Sequence, residues 1–296
     1  MACTISRSGA IAVATPAATP DPARDADWSI GDNEAGMSDA VRAGATHLWA
    51  NTVLFKNHPL QTSAALDAYQ DDVRVVGLPP LLAETYDEKA LVNHILKEQG
   101  RFMIAVATTL AAGLEKEGVS GHPVIAKPVR GRGSHGVKLS QSFVELKSHS
   151  PSVILEEYLA GQEATITVML PSAERPSYWA TPILTRFNHV EGIAPYSGVV
   201  AVTANSRTLT EEEEAADPAY KQASRECAGV AELLKTEAPF RIDIRRFNDE
   251  PGSPFALFDI NMKPNMTGPG RPGREDQASL CALAASGLGW DYAKLL

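Results

Sequence analysis

At 296 residues the chain is long enough for two or three packed units and a sizeable core. Its net charge of −9 argues against a surface for nucleic acid or other polyanions. No apolar run approaches the roughly 20 residues that a membrane-spanning helix needs; the best, residues 102–114, is shorter and rich in Ala and Thr. Three cysteines, Cys3, Cys227 and Cys281, lack metal or redox spacing and fit a reducing compartment, so the expected location is cytoplasmic.

Residues 1–36 are rich in Ala, Pro and Ser with little periodicity, and an irregular or poorly ordered start is expected. The opening up to Pro20 contains Arg7 and no acid, a faint transit-peptide character that is the lesser reading. A short helix is expected over residues 37–45, capped by Ser38 or Asp39. THLWANTVLF (46–55) reads as a buried strand, residues 58–70 as a helix, and VRVVGLPP (73–80) as a strand stopped by paired prolines. That alternation predicts a small open α/β unit over residues 1–86. DEKALVNHILKEQ (87–99) has helical spacing, with Ala90, Leu91, Ile95 and Leu96 apolar.

The stretch VIAKPVRGRGSHGV (124–137) is the one around which the chain is organised. A short buried strand ends at Lys127 and runs into a turn holding Gly131, Gly133 and Gly136, with Ser134 among them and Arg130 and Arg132 beside it. Glycines let backbone N–H groups fold inward around an anion, and a strand-end lysine suits nucleotide phosphates. The lysine precedes the glycines, so this is not a Walker A loop. Taken alone, a basic surface hairpin reads equally well.

VILEEYLAGQEATITVML (153–170) carries Glu156, Glu157 and Glu163, then alternates as a strand. Strands linked by polar loops are expected between 171 and 205, including YWATPILTRF (178–187) and GVVAVTA (198–204), followed by a helix over 209–234. FRIDIRRF (240–247) alternates Ile242 and Ile244 with Arg241, Asp243 and Arg245. Arg241 and Asp243, two apart, share a strand face, as do Asp259 and Asn261 in FALFDINMKPNMTGPG (255–270). Two acids and an amide from adjacent strands form a hard oxygen set suited to Mg²⁺ rather than zinc. Each residue singly also fits a solvated sheet face. A loop rich in Gly and Pro then leads to SLCALAASGLGWDY (279–292), an apolar helix.

The order of these blocks, a lysine strand, a glycine-rich loop, E-E-Y-L-x-G-x-E, R-x-D and D-x-N-x-x-P-x-M-T, resembles the ATP-grasp superfamily. Within it the D-alanine–D-alanine ligase type is the nearest in pattern, over residues 46–292. The resemblance implies an α/β (α+β ATP-grasp) fold: an N-terminal α/β domain (1–86), a central subdomain with the glycine-rich loop (87–160) and a C-terminal subdomain with the metal and substrate site (161–296). ATP would lie between two sheets. Lys89 and Lys127 would neutralise phosphates under the loop of Gly133 and Ser134, and Ser134 would help order the lid. Glu156, Glu157 and Leu159 would meet adenine, and Glu163 the ribose hydroxyls. Asp243, Asp259 and Asn261 would hold Mg²⁺ or Mn²⁺, Arg241 would stabilise an oxyanion, and Ser279 and Leu280 would receive the second substrate's carboxylate.

The implied activity is ATP-dependent joining of a small-molecule carboxylate to an amine through an acyl phosphate. The alternatives are transfer to a thiol or hydroxyl, or a decayed ATP-binding protein. Relatives of this type are often homodimers, and neither nucleic acid nor membrane is an expected partner. The sequence departs from the family in four places. Asp259 stands where a glutamate is usual, and Asn265 replaces a glycine. Residues 1–36 lack the early glutamate loop that holds the first substrate's amine, and no lysine- and tyrosine-bearing lid loop is recognisable around Tyr196, Ser197 and Gly198. A substrate other than D-alanine is therefore expected.

Overall fold

The computed structural model of the chain describes residues 1–49, 57–109, 123–131, 134–141, 152–193, 201–270 and 277–296. The opening is not wholly irregular. Helix α1 (Ala2–Ser8) closes on Gly9 in the left-handed conformation, and a 3-10 turn follows at Asp25–Asp27. Helix α2 (Glu34–Arg42) starts earlier than its sequence suggests, because Asn33, not Ser38 or Asp39, is the cap and accepts from the Gly36 N–H.

Strand β1 (His47–Leu48) pairs in parallel with β2 (Arg74–Val75). Residues 50–55 of the expected strand lie outside the described residues. Between them the expected single helix is two, α3 (Pro59–Thr62) and α4 (Ala64–Asp67), because Ser63 turns extended and caps the second. Pro80 does not merely stop a strand; it opens helix α5 (Pro80–Tyr86), where the first turn needs no N–H. Helix α6 (Lys89–Gln99) ends on left-handed Gly100.

Strands β3 (Ala107–Thr109), β4 (Val124–Pro128), β5 (Lys138–Ser140) and β6 (Val153–Glu157) form an antiparallel sheet in the order β3-β6-β4-β5. The second large sheet holds β7 (Glu163–Met169), β8 (Trp179–Ala180), β9 (Leu184–Arg186) and β10 (Ser206–Thr208). After helices α7 (Glu211–Ala216) and α8 (Pro218–Leu234) it is completed by β11 (Phe240–Arg246) and β12 (Phe255–Asn261). Its order is β10-β9-β7-β11-β12, with β8 also on β7. Pro218 splits the helix expected over 209–234, with Asp217 capping the second part. Of the strand expected over 198–204, Val202–Ala204 is a 3-10 turn and residues 198–200 lie outside the described residues. Helices α9 (Leu280–Gly287) and α10 (Tyr292–Leu295) close the chain, and the break between them falls at left-handed Gly289.

Period-2 alternation sorts the second sheet into two faces. Ala164, Ile166, Val168, Phe240, Ile242 and Ile244 turn to the main core, where α6 (Val92, Leu96) and α8 (Ala223, Cys227, Val230) cover them. The residues between them face the other way and form the floor of the site.

Candidate functional site

Cross-strand register arranges that floor in three rows. Glu163 on β7 stands opposite Arg186 on β9 and Arg245 on β11. Thr165 stands opposite Asp243, which stands opposite Asp259. Thr167 stands opposite Arg241, which stands opposite Asn261. Two-residue spacing on each strand keeps all three rows on one face. The roof is the first sheet, where Ile125 pairs with Glu156 and Lys127 with Ile154, on the face opposite the small cluster of Val124, Ala126, Val153 and Leu155. Floor and roof enclose a cavity of about 1120 Å³.

Lys127 ties the layers together. Its Nζ lies 2.5 Å from Glu156 Oε2, donates to the Phe258 carbonyl on β12 at 2.6 Å, and stands over the Phe258 ring. Glu156 also accepts from Asn93 Nδ2 at 3.0 Å. Lys89, at the start of α6, makes a second tie: its Nζ is 2.8 Å from Asp259 Oδ1 and donates to the Gly131 carbonyl at 3.2 Å. Burial works against the Lys89 charge, but Asp259 outweighs it and leaves the ammonium pKa raised. Cations from the first sheet and α6 thus meet oxygen donors of the second.

On the floor, Arg241 Nε and Nη2 donate to the two Asp243 oxygens at 3.1 and 3.2 Å, and Thr165 Oγ1 donates to Asp243 Oδ1 at 2.5 Å. Burial alone would raise the Asp243 pKa; Arg241, Arg186 and the Thr165 hydroxyl together hold it below the usual carboxylate range. Asn261 Oδ1 accepts from the Lys263 N–H at 3.1 Å, fixing the turn that leaves β12. Asp243 and Asp259 are direct cross-strand neighbours and Asn261 is one register step away, each on the cavity wall. Two carboxylates and an amide at that spacing fit a divalent cation of the Mg²⁺ type, with Arg241 and Lys89 as the charges now offsetting the acids. Among the described residues no group of three or more His, Cys, Asp and Glu converges as a softer metal site would require.

The remaining expected residues divide between the cavity and its surroundings. Ser134 lines the cavity with a left-handed backbone (φ 59), at the tip of the turn closed by Val137 N–H on its carbonyl. Gly133 and Arg132 lie outside the described residues, as do Tyr196, Ser197 and Gly198. Arg130 does not line the cavity; it pairs with Glu88 at 2.9 Å and the Glu84 carbonyl at 2.9 Å. Glu157 and Leu159 line the cavity on either side of Tyr158, with Leu159 anchored against Ala105 and Ala256. Leu280 lines the cavity, whereas Ser279 is buried, does not line it, and caps α9 by accepting from the Ala282 N–H.

Arg186 and Arg245 also line the cavity, and His189 pairs with Glu163 from the loop after β9. Glu163 is held by His189 Nε2 at 2.8 Å and Arg245 Nη1 at 3.8 Å. Arg245 donates to the carbonyls of Gly161 and Gly192 and to Tyr158 Oη. Arg186 and Arg245 come beside Glu163 through strand register and His189 through the loop after β9, and no local pattern announces which strands become neighbours. Cys3, Arg7, Asp25, Trp28 and Trp49 also line the cavity.

Two antiparallel sheets clasping a cavity, with basic residues from one and acids from the other, define the ATP-grasp fold. Within that class the fold is similar to those of D-alanine–D-alanine ligases and of a biotin carboxylase. The chain aligns with a D-alanine–D-alanine ligase from Bacillus anthracis, complexed with ATP, at TM-score 0.57 and 17% identity over 87% of this chain and 78% of that one. It aligns with a biotin carboxylase from Campylobacter jejuni at TM-score 0.59 and 12% identity, over 88% of this chain and 55% of that one. In sequence it is 27% identical over 186 residues to the D-alanine–D-alanine ligase of Synechococcus sp. (strain JA-3-3Ab), covering 60% of this chain. The chain spans about half (50%) of the length of that curated relative. No family model matches the chain.

Proposed function

We propose that the protein is an ATP-dependent ligase that joins a carboxylate to an amine. One observation carries this reading. Lys89 and Lys127 from the first sheet's side, and Arg241, Asp243, Asp259 and Asn261 from the second, line the same cavity. No structural role requires so many ionised groups and an amide to converge where the core could have closed with apolar side chains.

ATP fits with its phosphates under the turn of Ser134. Lys127 and Lys89 exchange their carboxylate partners for phosphate oxygens, which frees Glu156 toward the base and Asp259 toward the metal site. Glu163, poised by His189 and Arg245, is the acceptor for ribose hydroxyls. A divalent cation held by Asp243, Asp259 and Asn261 would offset the phosphate charge that repels an incoming carboxylate. The substrate carboxylate oxygen then forms a bond to the γ-phosphorus as the bond to the β-bridging oxygen breaks, releasing ADP. The amine nitrogen attacks the acyl carbon, the carbon–oxygen bond to phosphate breaks, and nitrogen loses a proton to solvent. Arg241, fixed on Asp243 beside this centre, is the donor for the charge that develops on the carbonyl oxygen.

The test is ADP release by the purified chain with Mg·ATP and pools of amino acids, with products identified by mass. The expected result is ADP formed in step with a product one water lighter than the sum of two substrates. Nucleotide uptake without substrate-dependent ADP release would overturn the ligase reading.

A further inference from the structure

The cavity wall also includes parts of the chain that this reaction leaves without a task. Cys3 and Arg7, four apart on α1, share a helix face, and both line the cavity. Asp25 and Trp28, three apart across a 3-10 turn, eclipse one another and also line it, with Trp28 Nε1 tied to the Asp21 carbonyl at 2.8 Å. Trp49, just beyond β1, lines it as well.

The position of α1 is set by packing. Helix α1 contacts α10. On α10, Tyr292 donates to the Met266 carbonyl at 3.0 Å and lies against Gly268, in the loop that leaves Asn261. Helix α1 is thus tied, through α10, to the loop leaving the acid-bearing strand, while Asp25, Trp28 and Trp49 line the same cavity. Two half-buried indoles exposed to a cavity are an unusual wall for a small aliphatic substrate, because each large aromatic face left against water forgoes burial. They are suited to a flat ring. Arg7 and Asp25 add one cation and one anion on the exposed rim, the pairing a zwitterion requires.

We propose that one of the two substrates is an aromatic amino acid, its ring against Trp28 and Trp49 and its charged groups toward Arg7, Asp25 and the floor of the site. This rests on the ligase reading, and deepens it by naming the substrate class.

The experiment compares phenylalanine, tyrosine and tryptophan, in both enantiomers, with glycine, alanine and serine in Mg·ATP-dependent ADP release. Aromatic amino acids are expected to give a kcat/KM at least tenfold above the aliphatic set. Trp28→Ala and Trp49→Ala should each raise KM for the aromatic substrate about tenfold, with the Kd for Mg·ATP unchanged by calorimetry. Phenylalanine should quench wild-type tryptophan fluorescence saturably, and Trp28→Phe should remove part of that quench, a readout that survives if the alanine variants do not fold. Equal or better turnover with alanine or glycine, or no quench by any aromatic amino acid, would overturn the substrate class and leave the ligase reading intact. Failure to bind Mg·ATP would instead remove the ligase reading, and this inference with it.

Discussion

The side chains of Lys127 and Glu156 are 5% and 3% exposed, so each is the other's main compensation for leaving water. Lys127→Met should therefore cost about 3–5 kcal/mol, because it strands a buried carboxylate. Lys127→Met combined with Glu156→Leu should recover most of that stability in urea unfolding while ATP affinity stays lost, which separates the structural role from the nucleotide role. Arg241→Ala should lower kcat by about 10²–10³ if the guanidinium serves the oxyanion. Calorimetry on the same variant should still detect Mg·ATP. Asp243 adds a pH signature. Its pKa is depressed below the ordinary 3.8, so its contribution is present above that value and is lost as pH falls through the lower folded one. The stability of the wild type should accordingly fall off below pH 3.8, and Asp243→Asn should flatten that limb. At this scale the sequence was readable where chemistry is written in alternation: Lys127, Asp243, Asp259 and Asn261 all line one cavity. It was not readable for Arg186 and Arg245, whose places beside Glu163 depend on which strands become neighbours, or for His189, which reaches Glu163 from the loop after β9.

The segment between β6 and β7 shows how an element depends on a single small residue. Ala160 and Gly161 donate to the carbonyls of Phe247 and Arg246, and the Gly161 carbonyl accepts from Arg245 at 3.0 Å. A Cβ at Gly161 would strike the Asn248 backbone, which cannot swing away as a side chain could. Gly161→Ala should therefore lower Tm and weaken ATP binding together, since Leu159 and Glu163 flank it. A substitution that lowers Tm with an unchanged Kd for ATP would show the two ends of this segment to be independent. The glycine in E-E-Y-L-x-G-x-E thus has a steric reason as well as a place in a pattern. Helix boundaries were less legible than strand faces, because they turned on single residues such as Asn33, Ser63, Pro218 and Gly289, each of which caps or breaks a run that hydrophobic spacing alone would extend. The first 36 residues have no period to read, and α1 finds its place through contact with α10 at the far end of the chain.

For the molecule as a whole, the two large sheets are joined across the cavity by charge as well as by apolar packing. Lys127 reaches from β4 to the β12 backbone, and Lys89 reaches from α6 to Asp259. Both lysines are those whose carboxylate partners ATP would replace, so the nucleotide should enter the same load path rather than loosen it. A ligand that binds only the folded state stabilises it by about 2.7 kcal/mol at a hundred times its Kd. Thermal melts should therefore rise with Mg·ATP, by about 4–5 °C if the whole chain unfolds as one unit with about 2.1 cal/mol/K of unfolding entropy per residue. ATP with the divalent cation chelated should raise Tm less, because the triphosphate then faces Asp243 and Asp259 without a charge between them. With Asp243→Asn and Asp259→Asn together, the order should change: the advantage of adding Mg²⁺ should vanish, while ATP alone should bind as well as or better than in the wild type. Retention of a full Mg²⁺ effect in that double variant would place the cation elsewhere and detach the acids of the second sheet from the triphosphate.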